Sequence, residues 1–499
     1  MPSAVNMVRA EDLYRLAPIF VACGFGILIM LLDPFLPERS RHWAARLGVL
    51  GGLAAQFSVI LSAEHMGRSY PDVKYAALVQ VDYFTVFMFL ALFSFAVLAM
   101  LGSVDYLERE NLQHGEYYAL ILFATSGMAV MACAQELLTA FVGLEVSSIA
   151  SYVLAGYRRN AAKSNESALK YFLLGSFATA FYLYGSALIF GGVGSTQLEV
   201  IRERIQYHGQ PEAGLVVIDS NLLILGSALV LVGLSFKIAA APFQFWTPDV
   251  YEGAPTPVTG LFASGPKAAA FAILVRVFYF GLGGLSSTWF WVIWGSAILS
   301  MTVGNLAALV QTNIKRMLAY SSIAHAGYLL VAFAANSNLG ISALLFYVLV
   351  YALVSLGIFT LISHLGEAGE RRVEIQDLAG LGRTQPLAAV CISLYLLSLM
   401  GLPVTAGFMG KLYIFQAALG AKLNGLAIVL AVNSVISAYY YLRVLRVMYF
   451  SEPAPNRTPS PVPYAVGAVV LFTCVVTVYL GLFPDVVREL AQRSALGLR

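Results

Sequence analysis

The stretch LSFKIAAAPFQFWTPDVYEGAPTPVTGLFASGPKAAAFA, residues 234–272, sets two lysines, Lys237 and Lys267, inside runs that are otherwise apolar. Pro242 follows the first lysine, and a helix-interior proline removes one hydrogen bond and kinks the chain. A charge at the centre of a bilayer costs about 2.5–3.5 kcal/mol on insertion scales, so such lysines must face protein or water. The stretch therefore reads as a broken membrane span, 221–246, followed by a second span, 257–281.

Working outward, the whole chain has the same character. Its 499 residues are 59% hydrophobic and 11% charged, with a mean hydropathy of +0.77, whereas soluble proteins carry roughly 25% charged residues. A soluble multidomain protein is excluded. The net charge of +3 leaves no electrostatic footprint for nucleic acid. Cys23, Cys133, Cys391 and Cys474 lie far apart in apolar runs, which offers neither a disulfide framework nor metal-ligand spacing. Only His325 of the six histidines lies well inside an apolar run, so a bis-histidine haem is not expected. Glycine clusters lack a phosphate-binding or dinucleotide-binding context. No cofactor is expected on this chain.

Windows of about 20 apolar residues give fourteen candidate spans between 15–34 and 464–484, in one integral domain. The first follows Arg9, Glu11, Asp12 and Arg15 and reads as a retained helix. An even number puts both termini on one side. Arg39, Arg41, Arg46, Arg109, Arg158, Arg159, Lys163, Lys315, Arg316, Arg371, Arg372, Arg383, Arg443, Arg446 and Arg457 fall together, against Arg68, Lys74, Arg202, Arg204 and Lys422 on the opposite face. The positive-inside rule then puts the termini outside.

A second segment, 386–416, carries Pro403, Gly407, Gly410 and then Lys411. Paired interruptions in two halves point to a repeat-built transporter with its site near the midplane. Glu145, in FVGLEVSSIASY, joins Lys237, Lys267 and Lys411 as an interior charge, and Lys170 sits a few residues into its span. Arg276 and Glu136, near span ends, are expected to snorkel to the surface. Buried lysines lose part of their preference for the charged form, so each can hold or release a proton as a carboxylate neighbour moves. His325, in YSSIAHAGYLL, titrates nearest neutrality and extends the lysines as a relay. The neighbouring serines and tyrosines could order water, although most of the 27 tyrosines are expected in the interfacial belt or in packing.

These residues resemble a known family, the antiporter-like membrane subunits of respiratory complex I and of multi-subunit sodium/proton antiporters. The resemblance rests on 234–272 with KRMLAYSSIAHAGYLL (315–330), GLPVTAGFMGKLYIF (401–415), GLEVSSIASYVLAGY (143–157) and NESALKYFLLG (165–175), and covers roughly 115–450. It implies an all-α integral membrane fold with two inverted five-helix repeats, 117–281 and 288–448. Three helices (1–116) would precede them, and a last helix with its tail (464–499) would follow. By motif, Glu145 and Lys237 would be a coupled pair with Lys170 nearby, Lys267 and His325 would lie on a central hydrophilic axis, and Lys411 in the distal half-channel. Gln244 stands where the family often has a histidine, so a proton role there is absent. The implied function is proton translocation coupled to quinone reduction in other subunits. The implied partners are other membrane-arm subunits of complex I, lipid and protons, in a bacterial inner membrane or another energy-transducing membrane. A cation/proton antiporter subunit is the alternative, and Lys267 and Lys411 argue against it. A purely structural subunit would have to carry five interior charges for packing alone.

Overall fold

Without water in the hydrocarbon layer, each apolar run must satisfy its own backbone, and helix is the conformation that does so within one segment. The computed structural model describes residues 10–35, 42–66, 73–75, 78–207, 218–453 and 461–498. Arg9, which precedes the first span, and Arg39, Arg41, Arg68 and Arg457, used above for orientation, lie outside the described residues.

The first three long helices are α1 (Ala10–Leu32), α2 (His42–Met66) and α3 (Tyr83–Arg109). Before α3, β1 (Val73–Tyr75) and β2 (Val79–Val81) form one short antiparallel pair, which the helical pattern did not announce. Then come α4 (Gly115–Cys133), α5 (Leu137–Ala155), α6 (Ala162–Val193), a short α7 (Leu198–Tyr207), α8 (Ser220–Ile238), α9 (Thr247–Gly253) and α10 (Thr256–Leu274). The next group is α11 (Ser286–Leu309), α12 (Ile314–Ala334), α13 (Asn338–Leu365), α14 (Leu381–Thr384), α15 (Pro386–Met400), α16 (Ala406–Gly420) and α17 (Asn424–Phe450). Two helices close the chain, α18 (Tyr464–Leu482) and α19 (Asp485–Leu496).

Among the described residues thirteen helices are long and apolar enough to cross a membrane. The fourteenth expected span is two helices of 15 residues each, α15 and α16, on either side of a non-helical 401–405. The other expected break also appears: α8 stops at Ile238, and α9 resumes only at Thr247.

Burial divides the helices into two groups. Helices α10, α12 and α13 are almost wholly enclosed, whereas α1, α6 and α18 turn most of their length outward. Small residues let the enclosing helices approach closely. A Cβ added to Gly143 would stand 2.8 Å from the Gly127 carbonyl oxygen, so α4 and α5 cross nearly backbone to backbone. Helix α4 packs on both α5 and α10, and α11 packs on both α12 and α17, so each five-span group closes through its first and last members.

The expectation for Arg276 is corrected. It does not snorkel: it is 1% exposed, in a π-helical turn (Val275–Gly281) that continues α10. Its guanidinium donates to Asp82 Oδ1 at 2.9 Å, Thr85 Oγ1 at 2.6 Å and the Ala132 carbonyl at 2.6 Å, and lies over the Phe84 ring. Removing one member of such a buried pair typically costs about 3–5 kcal/mol, so this contact fastens α10 to the start of α3. Glu136 does lie at a helix end, where it accepts from Thr139 and Thr196.

Candidate functional site

Lys237 occupies the last turn of α8, where the C-terminal carbonyls favour a cation. The break beyond it is stable because neighbours satisfy its backbone. Trp246 Nε1 donates to the Phe236 carbonyl at 3.0 Å, the Ala241 N–H to Ser300 Oγ at 2.8 Å, and Ser296 Oγ to the Ala241 carbonyl at 2.6 Å. Lys237 Nζ donates to Ser148 Oγ at 2.8 Å and to the Tyr171 hydroxyl at 3.3 Å, and lies 5.3 Å from the Tyr171 ring centre. Glu145 lies one turn before Ser148 on α5, with its Oε1 buried and without a hydrogen-bond partner. No ion pair within 4.0 Å joins Glu145 to Lys237. Ser148, the lysine's hydrogen-bond partner, is on the same helix as Glu145.

Lys267, 3% exposed, projects from the middle of α10 toward α12, donating to the Ser322 carbonyl at 2.8 Å and to the Ser322 hydroxyl. Its ammonium lies 5.5 Å from the Tyr351 ring centre, and Tyr351 in turn lies 5.0 Å from the His325 ring. His325 is held at both nitrogens, by the Tyr347 hydroxyl at 2.6 Å on Nδ1 and the Tyr441 hydroxyl at 3.1 Å on Nε2. With two hydroxyls as partners, the neutral ring can donate at one nitrogen and accept at the other.

Lys411 sits in the second turn of α16 but reaches back across the break. Its Nζ donates to the Met400 carbonyl at 3.0 Å, one of the last of α15, and lies 4.7 Å from the Tyr328 ring centre. Gly401 caps α15 at φ +93°, and a Cβ there would meet Lys411 Cδ at 3.1 Å. Glycine thus supplies both the left-handed turn and the space for the lysine. Tyr328 closes the row, with its ring 5.3 Å from that of His325.

Lys170 is placed differently. Its side chain is 39% exposed and pairs with Asp249 and Glu166, each at 2.7 Å. Arg316 holds Asp249 at 2.8 Å and Glu252 at 3.0 Å, and Lys163 holds Glu252 at 2.9 Å. Burial pushes the Asp249 carboxyl up, but its bonds to Lys170 and Arg316 outweigh this and hold it below its ordinary value. Lys170 thus belongs to a part-exposed ionic cluster and not to the buried row.

Of the tyrosines of the row, sequence reading pointed only to Tyr328, beside His325. Tyr171, Tyr251, Tyr328, Tyr347, Tyr351 and Tyr441 are all buried among these groups rather than in a belt. Between Lys237 and the Lys267 group the contacts are aromatic faces, with Tyr171 stacked on Trp246 at 4.6 Å and Trp246 edge-on to Tyr251 at 6.3 Å. Ser322 is one of the serines beside His325 read above as able to order water, whereas nothing local singled out Ser148. Gln244 Oε1 is buried without a partner. Among the described residues no group of three or more His, Cys, Asp or Glu side chains could hold a metal ion.

Two discontinuous helices with lysines at or beside their breaks, flanking a buried lysine and histidine, define an antiporter-type membrane subunit. The family model for the membrane region of NADH:quinone oxidoreductase and Mrp antiporter proteins matches residues 134–437. The chain belongs to the subunit N family of the NADH-quinone oxidoreductases. It is 43% identical over 490 residues to NADH-quinone oxidoreductase subunit N 1 of Solibacter usitatus, covering 98% of each chain. It is 44% identical to subunit N 2 of Koribacter versatilis, covering 98% of this chain and 97% of that one. A chain of respiratory complex I from Thermus thermophilus superposes with a TM-score of 0.77 at 37% identity, over 95% of this chain and 98% of that one. A chain of the Mrp complex from a Dietzia species shares the fold, with a TM-score of 0.82 at 21% identity over 97% of each.

Proposed function

We infer that this chain is a proton-translocating membrane-arm subunit of an NADH-quinone oxidoreductase, assembled with other membrane subunits in a bacterial inner membrane. Redox chemistry belongs to other subunits, and this chain moves protons. The observation that carries the reading is the run of contacts from Ser322 through Lys267, Tyr351, His325 and Tyr328 to Lys411, built on three enclosed helices and one broken one. Lysines at such positions alternate between holding and releasing a proton as neighbouring charge changes. Glu145 with Lys237 form the proximal element, Lys267 with His325 the central one, and Lys411 the distal one, with Lys170 at the mouth. Two five-span repeats, 117–281 and 288–448, each supply one broken helix.

Reconstitution tests this. Glu145→Gln and Lys237→Met should each lower the protons moved per quinone reduced. The double variant should lose less than the sum, because each single change leaves one buried charge without its counterpart. Groups in one network couple by about 0.5–3 kcal/mol. Fully additive losses would separate the two residues. Transport that followed a sodium gradient instead would favour the cation/proton antiporter alternative, whose fold this chain shares.

Both termini lie on the periplasmic side in this reading. A cysteine placed at Arg371 should react with an impermeant thiol reagent only from the cytoplasm, and one at Arg202 only from the periplasm. The opposite pattern would invert the topology.

A further inference from the structure

Between α13 and α14 the chain passes through a segment in which Glu367, Gly369 and Glu370 take φ values of +57°, +78° and +51°. Glycine adopts this region freely, whereas a glutamate stays there only when its surroundings hold it. For Glu370 those surroundings are explicit. Its carboxylate accepts from the Thr256 N–H at 2.7 Å, the Thr256 hydroxyl at 2.6 Å and Lys315 Nζ at 3.0 Å, and pairs with Arg158 at 3.4 Å. The preceding Gly369 N–H donates to Glu110, which also faces Arg158.

These partners stand at the ends of the working helices. Thr256 opens α10, Lys315 opens α12, and Arg158 follows α5, the three helices that carry Lys267, His325 and Glu145. Lys315 was grouped with the surface loops from its place in the sequence, but its side chain is fully buried, with a second bond to the Ala254 carbonyl at 2.7 Å. On α12, Lys315, Ala319 and Ser322 lie on one face by helical spacing. That face touches the end of α9 through Lys315, which donates to the Ala254 carbonyl, and the middle of α10 through Ser322 and Lys267. The seam that α12 shares with α9 and α10 therefore links the Glu370 cluster to the central lysine.

We propose that Glu370 is the latch of a proton inlet along this seam, a positioning residue that keeps water from Ser322 and Lys267 until its cationic partners rearrange. The proposal rests on the reading that Lys267 lies on a proton route. The charged and titratable groups around the latch are Lys315 on α12, Arg158 after α5, Tyr106 on α3 and Glu110 just beyond it, with Glu252 on α9 acting on Lys315. Burial alone would push the Glu370 carboxyl up, but the Lys315 charge and the Thr256 hydrogen bonds outweigh it and hold the group below its ordinary value. Because the value is lowered, the ionised latch persists through neutral pH and is lost only as pH falls through the lowered value. Mild acid alone does not open it.

The test reads access to the seam. Ala319 is fully buried on α12, and Ala129 is equally buried on α4, away from the seam. In the assembled complex, Ala319→Cys and Ala129→Cys are each exposed to a small charged methanethiosulfonate reagent on the arginine- and lysine-rich face, and labelling is quantified by peptide mass. Glu370→Ala should raise the rate at position 319 relative to 129 by at least about ten-fold, as expected for local opening. Glu370→Gln, which keeps an acceptor for Thr256 but loses attraction to Lys315, should raise it less. A ratio unchanged from the parent in both variants would overturn the proposal, including where both cysteines become reactive together. Labelling does not depend on pumping, so a raised ratio without altered proton movement would count against the Lys267 route and not against the latch.

Discussion

Lys267→Met should stop proton movement through this chain while the complex remains assembled. Methionine is close to lysine in length, unbranched and apolar, so it fills the same space in α10 without introducing a charge. What it removes is the ammonium group between Ser322 and Tyr351. His325 then has Lys411 as its remaining lysine neighbour in the row, beyond the Tyr328 ring. Losing a positioned proton-transfer group generally costs about 10²–10⁴-fold in rate, and the expected loss of pumping falls in that range. Ser322→Ala should cost much less, because the Ser322 carbonyl still accepts from the lysine at 2.8 Å. The measurement is acidification of proteoliposomes driven by NADH and quinone, with assembly checked by native mass spectrometry. Parent-level pumping by Lys267→Met would take this residue off the path.

The parts legible in the sequence were those set by local chemistry. Pro242 and Pro403 pointed to the two breaks because a proline in a helix interior costs a hydrogen bond, although Pro266 lies inside the continuous α10. Lys237, Lys267 and Lys411 stood out because a charge in an apolar run is expensive in any fold. What could not be read was set by partners distant in sequence. Arg276 looked like a snorkelling residue from its place near a span end, but Asp82, 194 positions earlier, holds it inside. His325 showed no sign of its partners because Tyr347 and Tyr441 arrive from two other helices. Glu370 was not singled out, because its positive φ and its four donors arise only in the fold. The separation of Lys170 from the buried row was equally invisible, since Tyr171 beside it does reach Lys237 while Lys170 turns to Asp249.

Lys411→Arg separates a fixed charge from a group that must let its proton go. Arginine stays protonated at any working pH, whereas a lysine held out of water can become neutral. The break favours the second role. Lys411 Nζ rests on the Met400 carbonyl at the end of α15, an acceptor left free because the helix stops there. That single bond and the face of Tyr328 are its only near polar or aromatic supports among the described residues, and no carboxylate lies within ion-pair distance. A charge so lightly compensated gains little by remaining charged once a proton acceptor approaches. Loosened backbone at 401–405 supplies the place where water can reach it. The arginine variant keeps a donor for Met400 and a cation for Tyr328, so the electrostatic support of the break survives, although its broader head must fit beside Gly401. Pumping should nevertheless fall about as far as in Lys411→Ala, by about 10²-fold or more, in complexes shown to be fully assembled. Pumping by Lys411→Arg at the parent rate would make Lys411 an electrostatic spacer that steadies the break while protons leave by another route.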